Sequence, residues 1–154
     1  MLQRIQTVYL LIIAGLMTAM MFLPLAVLQT GSESYVLGAF GVTESAQPEL
    51  IYPVWGLFIL VAIILLLSVV TVFMYKSRMR QIRVCVFNAI LMIGFYGFFA
   101  FLIYGVFKRE IDGLSVSVQI ALSFPLICLI LDYLAIRNIG ADEMLVRSVE
   151  RLRK

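Results

Sequence analysis

The sequence predicts an all-α membrane protein: a bundle of four transmembrane helices, N-in and C-in, with a short cytoplasmic amphipathic C-terminal helix. Three observations carry that expectation. Of 154 residues, 63% are hydrophobic and 14% charged, against roughly 25% charged in an ordinary soluble chain. Four apolar runs, at 7–28, 53–75, 84–107 and 117–136, are each close to the ~20 residues that carry a helix across a bilayer core of roughly 30 Å. The basic residues are also segregated. Arg4, Lys76, Arg78, Arg80, Arg83, Arg137, Arg147, Arg151, Arg153 and Lys154 fall on one side of that topology, and only Lys108 and Arg109 on the other. Basic loops stay cytoplasmic, so both termini are expected there. The chain reads as one integral membrane domain over 1–154.

The first run opens "QRIQTVYLL", with Tyr9 near the inner interface. At about 22 residues it exceeds the usual 7–15-residue apolar core of a signal peptide, and no small-residue cleavage site follows, so it is expected to stay as an uncleaved span. Gly15 and Ala19 form a small-xxx-small pair that lets another helix approach. The outer loop 29–52 carries Glu33, Glu44 and Glu49 and no base. Within it "SYVLGAFGVTE" has the β-branched and aromatic residues, broken by glycines, of a short hairpin.

The second run opens "YPVW". Pro53 suits a first helical position, and Tyr52 and Trp55 suit an outer aromatic belt, with Tyr75 at the inner one. The third is rich in aromatics interleaved with Gly94, Gly97 and Gly105. That pattern predicts a packed interface, within the bundle or with another subunit, because glycines let backbones close in while rings supply contact area. Pro125 predicts a kink near the middle of the fourth run.

The tail 137–154 completes the architecture. On a helical wheel Leu145, Val149 and Leu152 gather on one side, with Arg147, Glu150, Arg151 and Lys154 opposite. Glu143 and Arg147 stand at i,i+4 in the favourable order. Gly140 is expected to separate this helix from the span before it. The tail should then lie on the membrane surface or dock beneath the bundle. Arg4 is placed to pair with Asp142 or Glu143, packing the N-terminal segment on the tail.

The sequence argues against enzymatic chemistry. It has no histidine, which removes the usual proton shuttle and metal ligand. It has no nucleophile elbow, phosphate loop, dinucleotide fingerprint or metal constellation. Cys85 and Cys128 read as small apolar residues. No cofactor, metal or nucleic acid is expected; the expected partners are the lipid bilayer and other membrane-protein subunits. Asp132 is the one acid inside a predicted span, and an intramembrane acid is a candidate for carrying a proton or binding a cation. Its place near the inner interface favours a plainer role, reaching water or pairing with Arg137 or a base of the 76–83 loop. Arg78, Arg80 and Arg83, with Arg147, Arg151 and Arg153, are candidate contacts for anionic lipid or a partner, though the same charges also serve topology alone.

The opening "QRIQTVYLL" and the closing "DEMLVRSVERLR" resemble an uncharacterised family of small four-span membrane proteins of the Bacteroidota, domain of unknown function 4293. The resemblance covers the whole chain. It implies a bacterial inner-membrane location and a shared fold, and brings no activity. The family pattern has bases just before the Asp-Glu pair, where this chain has Gly140 and Ala141. Two functional classes follow: a non-catalytic accessory or scaffold subunit of a larger inner-membrane assembly, or a small transporter or channel that uses Asp132.

Overall fold

The computed structural model describes residues 2–31, 33–44, 50–74, 77–110 and 113–152, with side chains placed within 5–31, 33–44, 53–74, 77–109 and 113–149. Helix α1 spans Leu2–Phe22. Strands β1 (Ala26–Thr30), β2 (Glu33–Leu37), β3 (Gly41–Glu44) and β4 (Leu50–Pro53) follow. Next come α2 (Trp55–Phe73) and α3 (Arg78–Phe101), which runs on as a π-helical segment over Leu102–Phe107. A short turn α4 (Lys108–Glu110), strand β5 (Ser115–Val118) and a 3-10 turn (Ile120–Ser123) lead into α5 (Phe124–Leu152). Four stretches are long and apolar enough to cross a membrane: Ile5–Phe22, Trp55–Phe73, Arg78–Phe107 and Ile120–Val149.

The four long helices pack in a ring, in which α1 and α3 each touch both α2 and α5. The buried residues explain why. On α1 they are Gln6, Leu10, Ile13, Met17 and Met20. On α2 they are Leu57, Val61, Ile64, Ser68 and Thr71. On α3 they are Gln81, Cys85, Asn88, Met92, Phe95 and Phe99. The α5 side of the seam has Ala121, Pro125, Cys128, Asp132, Ala135, Ile139 and Asp142. Every set advances by alternating steps of three and four. That is the 3.5-residue repeat by which helices interlock side chains along a shallow left-handed crossing.

An all-helical fold is corrected at one end. All five strands form one antiparallel sheet in the order β4-β3-β2-β1-β5. The expected hairpin is present as β2 and β3, paired Tyr35 to Glu44, Val36 to Thr43 and Leu37 to Val42. The flanking strands extend it beyond what its short sequence announces. β1 is hydrogen-bonded to β2 on one edge and to β5, from the far end of the chain, on the other, with Val27 facing Ser117 and Leu28 facing Val116. The sheet closes the helix ends. Leu25, Ala26, Leu28, Leu37, Val42 and Val54 join the same apolar core as the helices, and Phe40 stacks on Phe58 of α2 at 4.9 Å. At its solvent side the Tyr35 hydroxyl donates to the Glu33 carboxylate. That hydrogen bond is the first reason the phenol titrates above its ordinary value.

The span limits shift accordingly. The first run does not continue to 28 as a helix. Pro24 disfavours helical backbone at the residue before it, α1 ends at Phe22, and the apolar residues 25–28 are buried by the sheet. The fourth run does not begin at 117, because "SVSV" alternates with period two and forms β5. Pro125 therefore lies in the first turn of α5, where a missing N–H costs little, and not at mid-span. The bases at 78–83 lie on α3, before which the Ser77 backbone N–H donates to the Met74 carbonyl at 3.0 Å. Gly140 does not interrupt anything. α5 is continuous to Leu152, so the tail is an extension of the last span and not a separate helix.

Gly56, on the first turn of α2, faces the ring of Phe98, and a Cβ there would stand 2.6 Å from the ring edge. Gly56→Val is expected to cost about 1–3 kcal/mol by overpacking, read as a lowered thermal midpoint in detergent. Phe98→Leu in the same chain should recover most of the loss.

Candidate functional site

The seam changes character along its length. Toward the sheet it is filled by Met17, Met20, Leu57, Val61, Met92, Phe95 and Phe99. Toward the chain termini the same 3.5-residue register presents Gln6, Ser68, Thr71, Gln81, Asn88, Asp132 and Asp142, all buried. Sequence reading singled out only Asp132 among them as a candidate site. The signal was present: Gln6 precedes Leu10, Ile13 and Met17 in phase, and Gln81, Cys85 and Asn88 precede Met92 in phase. A polar residue in phase with apolar core positions is a buried polar residue.

Most of these groups are satisfied. Ser68 and Thr71 donate back to the carbonyls of Ile64 and Leu67, at 2.9 and 2.6 Å. Asn88 Nδ2 donates to Ser68 Oγ at 3.1 Å, and Gln81 Nε2 to the Thr71 carbonyl at 3.2 Å. These two bonds tie α3 to α2. At the foot of the seam Gln6 Nε2 donates to Asp142 Oδ2 at 2.9 Å, and Arg78 Nη1 donates to the Asp142 carbonyl at 3.1 Å. One acidic residue of α5 thus gathers α1 and α3 around it. The expected packing of the N-terminal segment on the tail takes this form, through Gln6; the Arg4 side chain lies outside the described residues.

Asp132 is different. It is 0% exposed, and no N–H or O–H group of the described residues donates to its carboxylate; the Cys85 thiol is the donor that faces it. The thiols of Cys85 and Cys128 lie beside it. Asn88 Oδ1 is also buried without a partner. The expected pairing of Asp132 with Arg137 is corrected, since Arg137 is exposed, and the ion pair found among the described residues is Arg147 with Glu143 at 3.1 Å. The register explains the difference: Asp132 is in phase with Cys128 and Ala135 on the seam, and Arg137 is out of phase.

The remaining candidates scatter. Arg80 and Arg83 are exposed on the outer face of α3, and Arg147 is exposed on the extension of α5. Arg151 and Arg153 have side chains outside the described residues. Gly94 and Gly97 are exposed with nothing within 4 Å of a Cβ, so they pack no helix of this chain. Their spacing put them on one face, but the bulkier Met92, Phe95 and Phe99 take the seam. Gly105 lies in the π-helical segment, where a Cβ would meet the Phe101 ring at 3.2 Å. No group of three or more Cys, Asp or Glu that could hold a metal occurs among the described residues.

Four long apolar helices, a part-polar seam and a five-stranded sheet across one end define a small helical protein of membrane-span dimensions. The model of one family, Domain of unknown function (DUF4293), matches residues 2–152, and the chain belongs to that family. No curated protein matches it.

Two stability outcomes follow. Asp142→Ala leaves Gln6 without its acceptor and is expected to cost about 1.5–3 kcal/mol, the range for hydrogen bonds to charged groups. Asp132→Leu removes a buried carboxylate faced, among the described residues, only by the weak thiol donor of Cys85, and keeps similar volume. It is expected to raise stability by about 1–3 kcal/mol. Thermal unfolding in one detergent reads both, and a lowered midpoint for Asp132→Leu would mean that the thiol contact outweighs the cost of burying the carboxylate.

Proposed function

We propose that the chain is a non-catalytic accessory or scaffold subunit of a larger assembly in the bacterial inner membrane, folded as a four-helix bundle with both termini in the cytoplasm. One observation carries this reading. α5 runs unbroken over Phe124–Leu152, about 43 Å at 1.5 Å per residue, which exceeds a bilayer core of ~30 Å. Its last described turns stand clear of the other helices. Met144, Leu145 and Val149 are 75%, 58% and 65% exposed. A straight extension of a spanning helix points away from the membrane, so its apolar face is better placed for a partner protein than for lipid. The outward face of α3, with Phe87, Ile90, Ile93 and Phe101 exposed around Gly94 and Gly97, supports the same reading as a surface for another helix.

The alternative, a small transporter or channel, draws on one observation: the buried carboxylate of Asp132, faced by a thiol and by no N–H or O–H donor of the described residues. A buried acid is a default functional hypothesis in a membrane. The packed side chains between Asn88 and the sheet weigh against it, because a path would have to part Met17, Met20, Met92 and Phe95.

Gentle detergent extraction of the tagged chain, followed by mass spectrometry, tests the proposal. A stoichiometric partner should accompany the wild type and be lost from the Leu145→Glu, Val149→Glu double variant, which keeps the helix and its Glu143–Arg147 pair. Recovery alone or as a homo-oligomer in both cases would overturn it. A flux abolished by Asp132→Asn would then favour transport.

A further inference from the structure

The exposed flank between α3 and the start of α5 carries two clefts. One, of about 390 Å³, is lined by Tyr96, Val118, Leu122, Ser123 and Leu126. The other, of about 350 Å³, lies between the Phe99–Lys108 stretch and the Leu114–Val118 stretch. Val118 lines both, so the two adjoin along one flank as a shallow groove open to the surroundings. The upper wall is the π-helical segment Leu102–Phe107, a wide helical turn that recurs at functional sites. At the lower end Tyr96 spans the groove floor, its hydroxyl donating to the Leu122 carbonyl at 2.8 Å.

Depth and charge identify the occupant. From Tyr96 to Lys108 the helix rises about 16 Å, since the wider π-helical turn over Leu102–Phe107 rises less per residue than an α-helix, close to half of a ~30 Å hydrocarbon core. The groove therefore has the length of one leaflet. Its upper mouth is at Lys108, directly after the last residue of the apolar stretch Arg78–Phe107, the level of lipid head groups. Lys108 Nζ stands 4.8 Å from the centroid of the Tyr104 ring, and Arg109 follows it, exposed. These are the two bases that depart from the segregation of the other ten, and the acids Glu110 and Asp112 follow them in sequence. Lys108 lines the mouth of the apolar groove, and Arg109 is its neighbour in sequence.

We propose that this groove binds one anionic phospholipid of the sheet-side leaflet, an acyl chain lying along Tyr96, Ala100 and Leu122 and the phosphate meeting Lys108 and Arg109. The proposal rests on the membrane placement given above and not on the scaffold role. Charge complementarity chooses an anionic lipid over a zwitterionic one, at about fivefold in affinity for each basic residue near the surface.

Native mass spectrometry of the full chain, titrated with phosphatidylglycerol and with phosphatidylethanolamine of the same acyl composition, is the test. The wild type should retain one phosphatidylglycerol under activation that strips phosphatidylethanolamine. Lys108→Gln, Arg109→Gln should bring the two lipids to parity, and Ala100→Trp, which fills the groove from an exposed position, should lower retention of both. Equal retention of the two lipids by the wild type would overturn the proposal, as would an unchanged preference in the charge variant. So would a dimer broken by Ala100→Trp with lipid retention unaltered, which would make the groove a contact between two copies. The chain fails the membrane placement itself, separately, if it is recovered without detergent as a monodisperse protein.

Discussion

The 3.5-residue register shared by the four long helices is the constraint on which the rest depends. It decides which side of each helix is buried, and it does so without regard to polarity. Leu10, Ile13 and Met17 are inside because they are in phase, and so are Gln6, Asn88 and Asp132. A polar side chain brought inside by register costs least where it finds a partner among the other in-phase groups, and among those described Asp132 meets only the thiol of Cys85. Gln6 finds Asp142, Asn88 finds Ser68, and Gln81 finds the Thr71 carbonyl near the end of α2. These bonds link neighbouring helices pairwise and fix their vertical alignment, a specification that aliphatic packing alone gives weakly.

The division of the seam follows from how each end is closed. At the sheet end the helices are covered by the inner face of the strands, which adds apolar side chains from Leu25, Leu28 and Leu37 to the core. At the other end no such cover exists among the described residues. Gln6, Arg78 and Asp142 instead hold α1, α3 and α5 together by directional contacts. The apolar end gains from exclusion of water; the polar end gains from bonds that are strong where the surroundings are of low dielectric.

The four apolar helices were legible because run length and the absence of charge report them directly. The ends of the runs were not, because an apolar segment looks the same whether lipid or a sheet buries it. Residues 25–28 and 117–118 belong to strands, and only Pro24 and the alternation of "SVSV" distinguished them. The sheet itself was half legible. β2 and β3 are adjacent in sequence with glycines between them, whereas the pairing of β1 with β5 joins segments separated by α2 and α3. For the polar residues, spacing was informative and type was not. Asp132 stood out as an acid, yet its place beside the Cys85 thiol and away from the bases of the described residues depends on facing inward with Cys128 and Ala135. Gly94 and Gly97 had the spacing of a groove, but the adjacent Phe95 and Phe99 took the interior.

The strand order also fixes a sequence in time. The chain emerges from synthesis N-terminus first, so β1 to β4 can assemble once α1 and α2 are in place. β5 arrives only after α3 has been made, and α5 must still follow it. Throughout that interval one edge of β1 has its N–H and C=O groups unpaired, an open template for any extended segment nearby. The last strand to arrive is therefore the one that covers the free edge of β1 and becomes the new edge of the sheet. It also ties the second pair of long helices to the first before α5 is complete.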